Sequence, residues 1–307
     1  KFSIIRFIPS TKVNIVMSAY NGEKYIRKQL DSLLEQKYKN IEIYVRDDCS
    51  TDATLQILNE YKEKYGIHVL TGKNMGFAAS FFEVMRYAED GDYWAFCDQD
   101  DIWFPDKILR AVKYLDKMDQ KKPLLYYSLS SMFAGDDEDH SIGVQKPPKG
   151  SLCFRRAMTG TFGVGFSMVI NKRLRDEMLK CDPYKVHSHD WLAGAIALGF
   201  GKIKIDNKIC AGYRRLDTSV TKITFSKRMK WFFSSLKKDG DVRERNREYY
   251  RVYKDQLDEE NLSWAKSFGE EKLTWRMQMK KVLCLKRWRP SVSSEIVMRF
   301  LMLKGKI

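Results

Sequence analysis

The sequence predicts an α/β fold, a mostly parallel central sheet flanked by helices, followed by a basic, mainly helical C-terminal region. Three observations carry this. Over the first hundred residues, short apolar runs alternate with helical patterns. The connections between them are short, as in βαβ units, whose parallel strands have helices on both faces. Every polar cluster of this stretch falls directly after an apolar run, where open α/β sheets bind their ligands.

Residues 13–18 (VNIVMS) form the first strand, ending in "AYNG", and Ile26, Leu30, Leu33 and Leu34 follow at helical spacing. Residues 41–45 are the second strand and 51–65 the second helix, with Leu55, Leu58, Tyr61 and Tyr65 along one side. Residues 67–70, 77–88 and 93–97 supply the third strand, third helix and fourth strand. After Pro123 the pattern is less regular. Residues 124–131 and 165–171 read as strands, 135–150 as a polar loop, and "KRLRDEMLK" as a helix. "HSHDWLAGAIALGFGKIKID" reads as a helix starting near Asp190, stopped at Gly199 to Gly201 before another strand. From residue 222 the chain is rich in Lys, Arg and aromatics, with helical patterns and no strand signal.

Composition narrows the class. With 307 residues and 44% hydrophobic content the chain can bury one large or two modest cores. No apolar stretch approaches the 18 or so residues of a membrane span, so an integral membrane protein is excluded. The opening "KFSIIRFIPSTK" is a poor signal peptide, interrupted by Arg6 and Pro9. Six scattered cysteines without a CxxC pair predict free thiols and a reducing compartment, with Cys97 and Cys210 in the core. The net charge of +15 is uneven: residues 1–221 carry +4 and residues 222–307 carry +11. An anionic partner is therefore sought in the tail first.

Four clusters meet at the predicted sheet edge: "SAYNGE", "RDDCSTD", "GKNMG" and "CDQDDIWFPDK". The last crowds Asp98, Asp100 and Asp101 after a buried strand, which costs stability unless a cation lies among them. All-oxygen ligands select Mg²⁺ or Mn²⁺, which complete their shells with substrate phosphates. One helix cap near Pro105 accounts for Asp101 or Asp106 but does not need three acids. A haloacid-dehalogenase-type DxD fits poorly, because the motif follows three strands and runs into Asp101-Ile102. Ser50 or Asp52 caps the helix near Ala53, while Asp48 at the same edge is placed to accept hydrogen bonds from a base N–H or a ribose hydroxyl. Asp190 reads equally as a general base or as a helix cap, and His187 with His189 makes an incomplete zinc set.

Taken in order, "VNIVMSAYNGEKYIRKQLDSLLEQKYKNIEIYVRDDCSTDAT", "GFAASF" and "FCDQDDIWFPDKI" resemble family 2 glycosyltransferases, most of all the bacterial rhamnosyltransferase-like members of surface-polysaccharide pathways. The resemblance covers about residues 12–221. It implies a GT-A fold, a nucleotide-diphosphate-sugar donor of UDP or dTDP type, possession of a divalent metal, and inversion at the anomeric carbon. By position, Ser18, Tyr20 and Asp48 would contact the nucleotide base, with Asn74 nearby; Asp98 would face ribose or metal, and Asp100 would be the principal metal ligand. Asp190 matches the family's general base. Leu216 stands where relatives carry a His that helps hold metal or diphosphate, so that task passes to Arg214, Arg215 or Asp217, or metal binding weakens. An extra "GTFGVG" precedes "GFSMVIN" and reshapes the acceptor side.

The expected organisation is a GT-A domain over 1–221, with a nucleotide-sugar half at about 12–122 and an acceptor half at about 123–221, then a basic helical region over 222–307. The tail segments "FSKRMKWFFSSLKK" and "KKVLCLKRWRP" mix cations with Trp, Phe and Leu as interfacial helices do. An anionic membrane surface is therefore the expected partner, on the cytoplasmic inner face, with a glycan or lipid-linked acceptor. No nucleic-acid motif supports the alternative partner. Two rival readings are a nucleotidyltransferase, whose Gly-rich phosphate loop "SAYNGEKY" does not supply, and a non-catalytic nucleotide-sugar-binding protein on a degenerate transferase fold.

Overall fold

The computed structural model describes residues 11–148, 150, 152–215, 240–289 and 292–307. Four strands open the chain, β1 (Val13–Ala19), β2 (Ile41–Asp47), β3 (His68–Thr71) and β4 (Tyr93–Asp98), joined by α1 (Ile26–Leu34), α2 (Thr54–Tyr65) and α3 (Phe77–Tyr87). They pair in parallel, as expected from their βαβ order. Then come β5 (Ile102–Trp103), α4 (Lys107–Leu115), β6 (Leu124–Ala134), β7 (Ser141–Gln145), α5 (Phe154–Ala157), β8 (Met168–Asn171), α6 (Lys172–Met178), α7 (Pro183–Val186), α8 (His189–Phe200) and β9 (Lys202–Arg215). Among the described residues the sheet runs β3-β2-β1-β4-β8-β6-β9-β5, with β7 added to β6. β8 is antiparallel to both β4 and β6, which joins the parallel first half to the second half. The polar stretch 135–150, expected to be a loop, contains β7 as an exposed edge strand.

Strand alternation sorts the side chains into two cores. Val13, Ile15 and Met17 of β1, with Ala95 and Cys97 of β4, pack against α1, α2 and α4. Val16 of β1, with Trp94 and Phe96 of β4, faces the opposite side, where α3, α6 and α8 lie. Cys97 and Cys210 are buried free thiols, as expected, and among the described residues all six cysteines are unpaired.

The second core continues into the C-terminal helices α9 (Asp241–Tyr253), α10 (Glu259–Gly269), α11 (Trp275–Val282) and α12 (Val292–Leu303). Tyr249, Phe268, Trp288 and Leu301 are buried in it together with Trp191 and Phe81. This explains the composition of α8. Its sequence HDWLAGAIALGF is apolar on every side, a pattern that requires cover all round. The sheet covers one side and α9 another: Tyr249 donates its hydroxyl hydrogen bond to the Ala195 carbonyl (3.1 Å). Gly199 is needed because a Cβ there would strike the Tyr249 hydroxyl.

Candidate active site

Sheet register brings the site together. Ser18, near the end of β1, lies level with Arg46 on β2 and with Asp98 at the end of β4. Beyond these strand ends a cleft of about 490 Å³ is lined by Ser18, Tyr20, Asp48, Asn74, Gly76, Phe77, Phe81, Asp98, Gln99 and Asp100. Ser18, Tyr20, Asp48, Asn74, Asp98 and Asp100 are thus brought to one place, as the sequence predicts. Tyr20 and Phe77 are exposed at this cleft, giving two aromatic faces beside the carboxylates.

The loops that form the walls are fixed to one another. Gln99 binds Tyr20 in both directions: the Tyr20 amide donates to Oε1 (2.8 Å) and Nε2 donates to the Tyr20 carbonyl (3.0 Å). Gly22 follows because any Cβ there would collide with the Gln99 amide. Asn21, in the left-handed region at φ 48°, accepts from the Thr51 amide (2.8 Å) and donates its own amide to Ser50 Oγ (3.0 Å). Ser50 therefore braces the first loop and does not cap α2. Asp52 accepts from the amides of Glu23 (3.1 Å) and Thr54 (3.0 Å), joining that loop to the start of α2.

Asp48 has a larger role than the sequence assigns it. It is buried and accepts from the amides of Met75 (2.9 Å) and Gly76 (3.0 Å) and from Arg46 Nη1. Arg46, also buried, donates to the Lys73 carbonyl (3.0 Å) and pairs with Glu83. This ion pair clamps the "GKNMG" loop over β2, and a carboxylate so occupied contacts a nucleotide only with its remaining lone pair. Ser18 donates its hydroxyl to Ser80 Oγ (2.7 Å) and so has acceptor capacity toward the cleft.

The acids of "DQDD" divide into two roles. Asp98 and Asp100 line the cleft. Asp101 turns away: Oδ1 accepts from the Arg214 amide (3.1 Å), and the buried Oδ2 has no partner among the described residues. Asp101 is therefore not the cap of α4, which starts at Lys107 behind Asp106. Burial, and then Asp100 and Asp190, push the Asp98 carboxyl up to about 7. Burial raises Asp100 as well. Clustered acids held in this state favour a cation over their own ionised forms alone.

The donor set fits a hard divalent ion only in part. Among the described residues no group of three or more His, Cys, Asp or Glu side chains is placed to hold a metal. Asp98 and Asp100 alone would leave most of an octahedral shell to phosphate oxygens and water, the usual arrangement for Mg²⁺.

Arg214 requires a correction. The sequence offers it to the diphosphate, but it is buried and committed to the protein. Nε donates to the Asp100 carbonyl (2.8 Å), Nη1 to the Gly135 carbonyl, and Nη2 to Glu138 (2.9 Å); Tyr25 and Phe133 lie against the guanidinium at 4.4 and 4.7 Å. It frames the acidic turn from behind. Leu216 and Asp217 lie outside the described residues.

Asp190 sits in the first turn of α8. The N-cap residue is Ser188, whose Oγ accepts from the Trp191 amide (3.4 Å), so Asp190 is not itself the cap residue. Its Oδ1 accepts from Ser188 Oγ and from the Trp191 amide (2.6 Å), which fixes the carboxylate and leaves Oδ2 available. The two histidines do not form a metal set. His187 pairs with Glu244 (2.7 Å), while His189 is buried against Phe81 (3.8 Å between ring centroids) and Phe96.

A parallel first half joined through an antiparallel strand to a second half, with acids at the strand ends, defines a GT-A transferase fold. Structures of Staphylococcus aureus TarS 1–349 share it. The complex with UDP superposes with a TM-score of 0.53 at 18% identity, and the complex with UDP-GlcNAc at 0.53 and 16%; each comparison covers 96% of this chain and 90% of the other. Residues 14–122, which hold the parallel half and its acidic turn, match the family model "Glycosyl transferase family 2". Over 105 residues it is 42% identical to the dTDP-rhamnosyl transferase RfbG of Shigella flexneri, covering 32% of this chain and 36% of that protein. Over 139 residues it is 33% identical to a glycosyltransferase of Rickettsia typhi, covering 45% and 42%. The match therefore spans less than half the length of these curated relatives.

Proposed function

We propose that this protein transfers a sugar, with inversion, from a UDP- or dTDP-sugar to a hydroxyl of a glycan or lipid-linked acceptor in surface-polysaccharide synthesis. The observation that carries this reading is the gathering of carboxylates from distant parts of the chain: Asp98 and Asp100 line the cleft, and α8 brings Asp190 to its border, its neighbour His189 packing on the cleft residue Phe81 (3.8 Å between ring centroids). Tyr20 and Phe77 offer aromatic faces to a base, and Ser18 and Asn74 offer hydrogen bonds beside it. Asp98 and Asp100 would hold Mg²⁺ or Mn²⁺. When bound, such an ion neutralises the departing diphosphate without a proton. Asp190 Oδ2 takes the proton from the acceptor hydroxyl, while Ser188 and the Trp191 amide hold the carboxylate in place. The relatives' names favour this class: one is a dTDP-rhamnosyl transferase, and the TarS complexes hold UDP and UDP-GlcNAc.

The test is Asp190→Asn, which preserves size and both accepted hydrogen bonds. Sugar transfer should fall by about 10²–10⁴-fold, the usual contribution of a positioned base, in kcat and with donor KM little changed. Transfer within a few-fold of the parent would remove Asp190 as the base.

We also place the protein at the inner face of an anionic membrane, through a different surface from the one the sequence suggests. Residues 225–238 lie outside the described residues. In "KKVLCLKRWRP", Lys281 and Trp288 are buried, so this segment is not an interfacial helix. The apolar stripe is instead on α12: Val292, Ile296, Phe300 and Leu303 recur at helical spacing and are all exposed, with Leu283 and Leu285 exposed nearby in sequence. Among the described residues no helix is long and apolar enough to cross a membrane.

A further inference from the structure

We propose that Arg245, with Arg289 and Arg156, forms an anion subsite beside Asp190 that holds a phosphate group of the acceptor. The proposal rests on the glycosyltransferase reading for its biological use, but its geometry is independent of the donor cleft, which none of the three arginines lines.

The turn after α5 is where three parts of the chain meet. Its successive carbonyls at Ala157, Met158 and Thr159 accept from Trp191 Nε1 (2.7 Å), Asn246 Nδ2 (2.8 Å) and Arg289 Nη2 respectively. The residue after the proposed base, helix α9 and the segment before α12 are thus tied to one turn, immediately downstream of Arg156. On α9 the neighbour of Asn246 is Arg245, whose guanidinium stacks on the Trp191 ring at 4.4 Å. Asp190 and its would-be acceptor hydroxyl therefore lie next to a cation supplied by the C-terminal helices.

That cation lacks a partner of the kind its fellows have. Arg46 pairs with Asp48, Arg110 with Asp206, and Arg214 with Glu138. Among the described residues no carboxylate is within ion-pair distance of Arg245, and its buried Nε has no hydrogen-bond partner. The charges that act on it are the like charge of Arg289 and, more weakly, Asp190 and Asp241. Arg289 in turn is opposed by Arg156 and helped by Glu295. Burial and mutual repulsion lower Arg245 to about 9 and lower Arg289 as well. Guanidinium groups gathered about one turn and kept partly from water suit phosphate, which takes paired N–H donors. A phosphate there would relieve the repulsion, and it belongs to the acceptor because the donor's diphosphate is assigned to the Asp98–Asp100 cleft.

The test uses the full chain without metal, so that phosphate has no ion to follow into the donor cleft. Inorganic phosphate is titrated at constant ionic strength against NaCl, reading thermal stability and tryptophan fluorescence. The parent should bind phosphate. Arg245→Gln should weaken that binding about tenfold, a loss of about 1.4 kcal/mol, as for one charge-assisted fork. Arg245→Lys, which keeps charge and stem, should fall between and serves if the Gln variant does not fold. A parent that does not bind phosphate, or an Arg245→Gln variant that binds like the parent, overturns the proposal. Repeating the titration with glycerol phosphate in solution and with neutral vesicles carrying a polyprenyl phosphate separates a phosphate-bearing glycan from a lipid-linked acceptor. In parallel, UDP and dTDP binding with Mn²⁺ should be unchanged in both variants. Arg245-dependent phosphate binding without any nucleotide binding keeps this subsite and defeats the transferase reading; nucleotide binding without the phosphate effect does the reverse.

Discussion

Arg214→Gln separates the two roles that sequence and structure assign to this residue. The guanidinium is 1% exposed and donates to two carbonyls, at Asp100 and Gly135, and to the carboxylates of Glu138 and Asp136. The Asp136 pair is largely solvated and contributes little. The Glu138 pair and the Asp100 carbonyl are shielded, and charged hydrogen bonds of that kind are worth about 1.5–3 kcal/mol each. Lost packing against Tyr25 and Phe133 adds to this. A total cost of roughly 3–5 kcal/mol is expected, a large share of the about 5–15 kcal/mol that holds a domain folded. Urea unfolding of parent and variant reads it directly, and Arg214→Lys should not restore it because an ammonium cannot reproduce the fork. Metal-supported nucleotide affinity should fall too, since the Asp100 backbone is what Arg214 holds. A variant within 1 kcal/mol of the parent refutes the framing role. Normal stability with nucleotide binding lost would return Arg214 to the diphosphate.

Asp100→Ala should abolish the enhancement of UDP or dTDP binding by Mg²⁺ or Mn²⁺; calorimetry showing equal affinity with and without metal in the parent would defeat the metal assignment. His189 is lowered to about 4 by burial, so the unfolded chain takes up a proton near pH 6.5 that the folded chain refuses until about pH 4. Stability from this group is complete above pH 6.5 and falls toward pH 4 by about 1.4 kcal/mol per unit; in His189→Leu that acid slope should flatten, and an unchanged slope in urea titrations would refute the assignment. Ile296→Glu with Phe300→Glu should weaken sedimentation with anionic vesicles while leaving the fold intact; undiminished binding would move the membrane surface elsewhere on the molecule.

What the sequence made legible follows from what periodicity can encode. The first four strands, their helices and the meeting of Ser18, Asp48, Asn74, Asp98 and Asp100 were readable, because each cluster directly follows an apolar run and parallel βαβ units put all such clusters on one edge. Strand direction was not: residues 168–171 give the same pattern either way, and their antiparallel insertion depends on contacts with β4 and β6. Strand β7 is not legible because its alternation is only two apolar residues long, Ile142 and Val144, set in a polar, Pro- and Gly-bearing stretch. Arg46, Gln99 and the inward turn of Arg214 were missed for a different reason. A charged or polar residue looks solvent-facing in sequence, and its burial is settled by partners 27 to 114 positions away. A usable signal did exist for the C-terminal cover: α8 has no polar face, so something beyond the sheet had to bury it.

Burial by distant partners also changes what the tail's +11 charge can do. Several of those cations point inward and satisfy the chain's own carbonyls where helices end. Arg243 serves Glu270 and Glu271, Arg299 serves Val282 and Cys284, and Lys281 serves Ile307. Buried carbonyls at irregular connections need donors, and long cationic side chains reach several at once. Charges so used are fixed in the fold and add little to attraction by an anionic surface. Attachment through α12 should accordingly depend more on its apolar stripe than the net charge implies, and respond to salt more weakly than a solvated tail of the same composition.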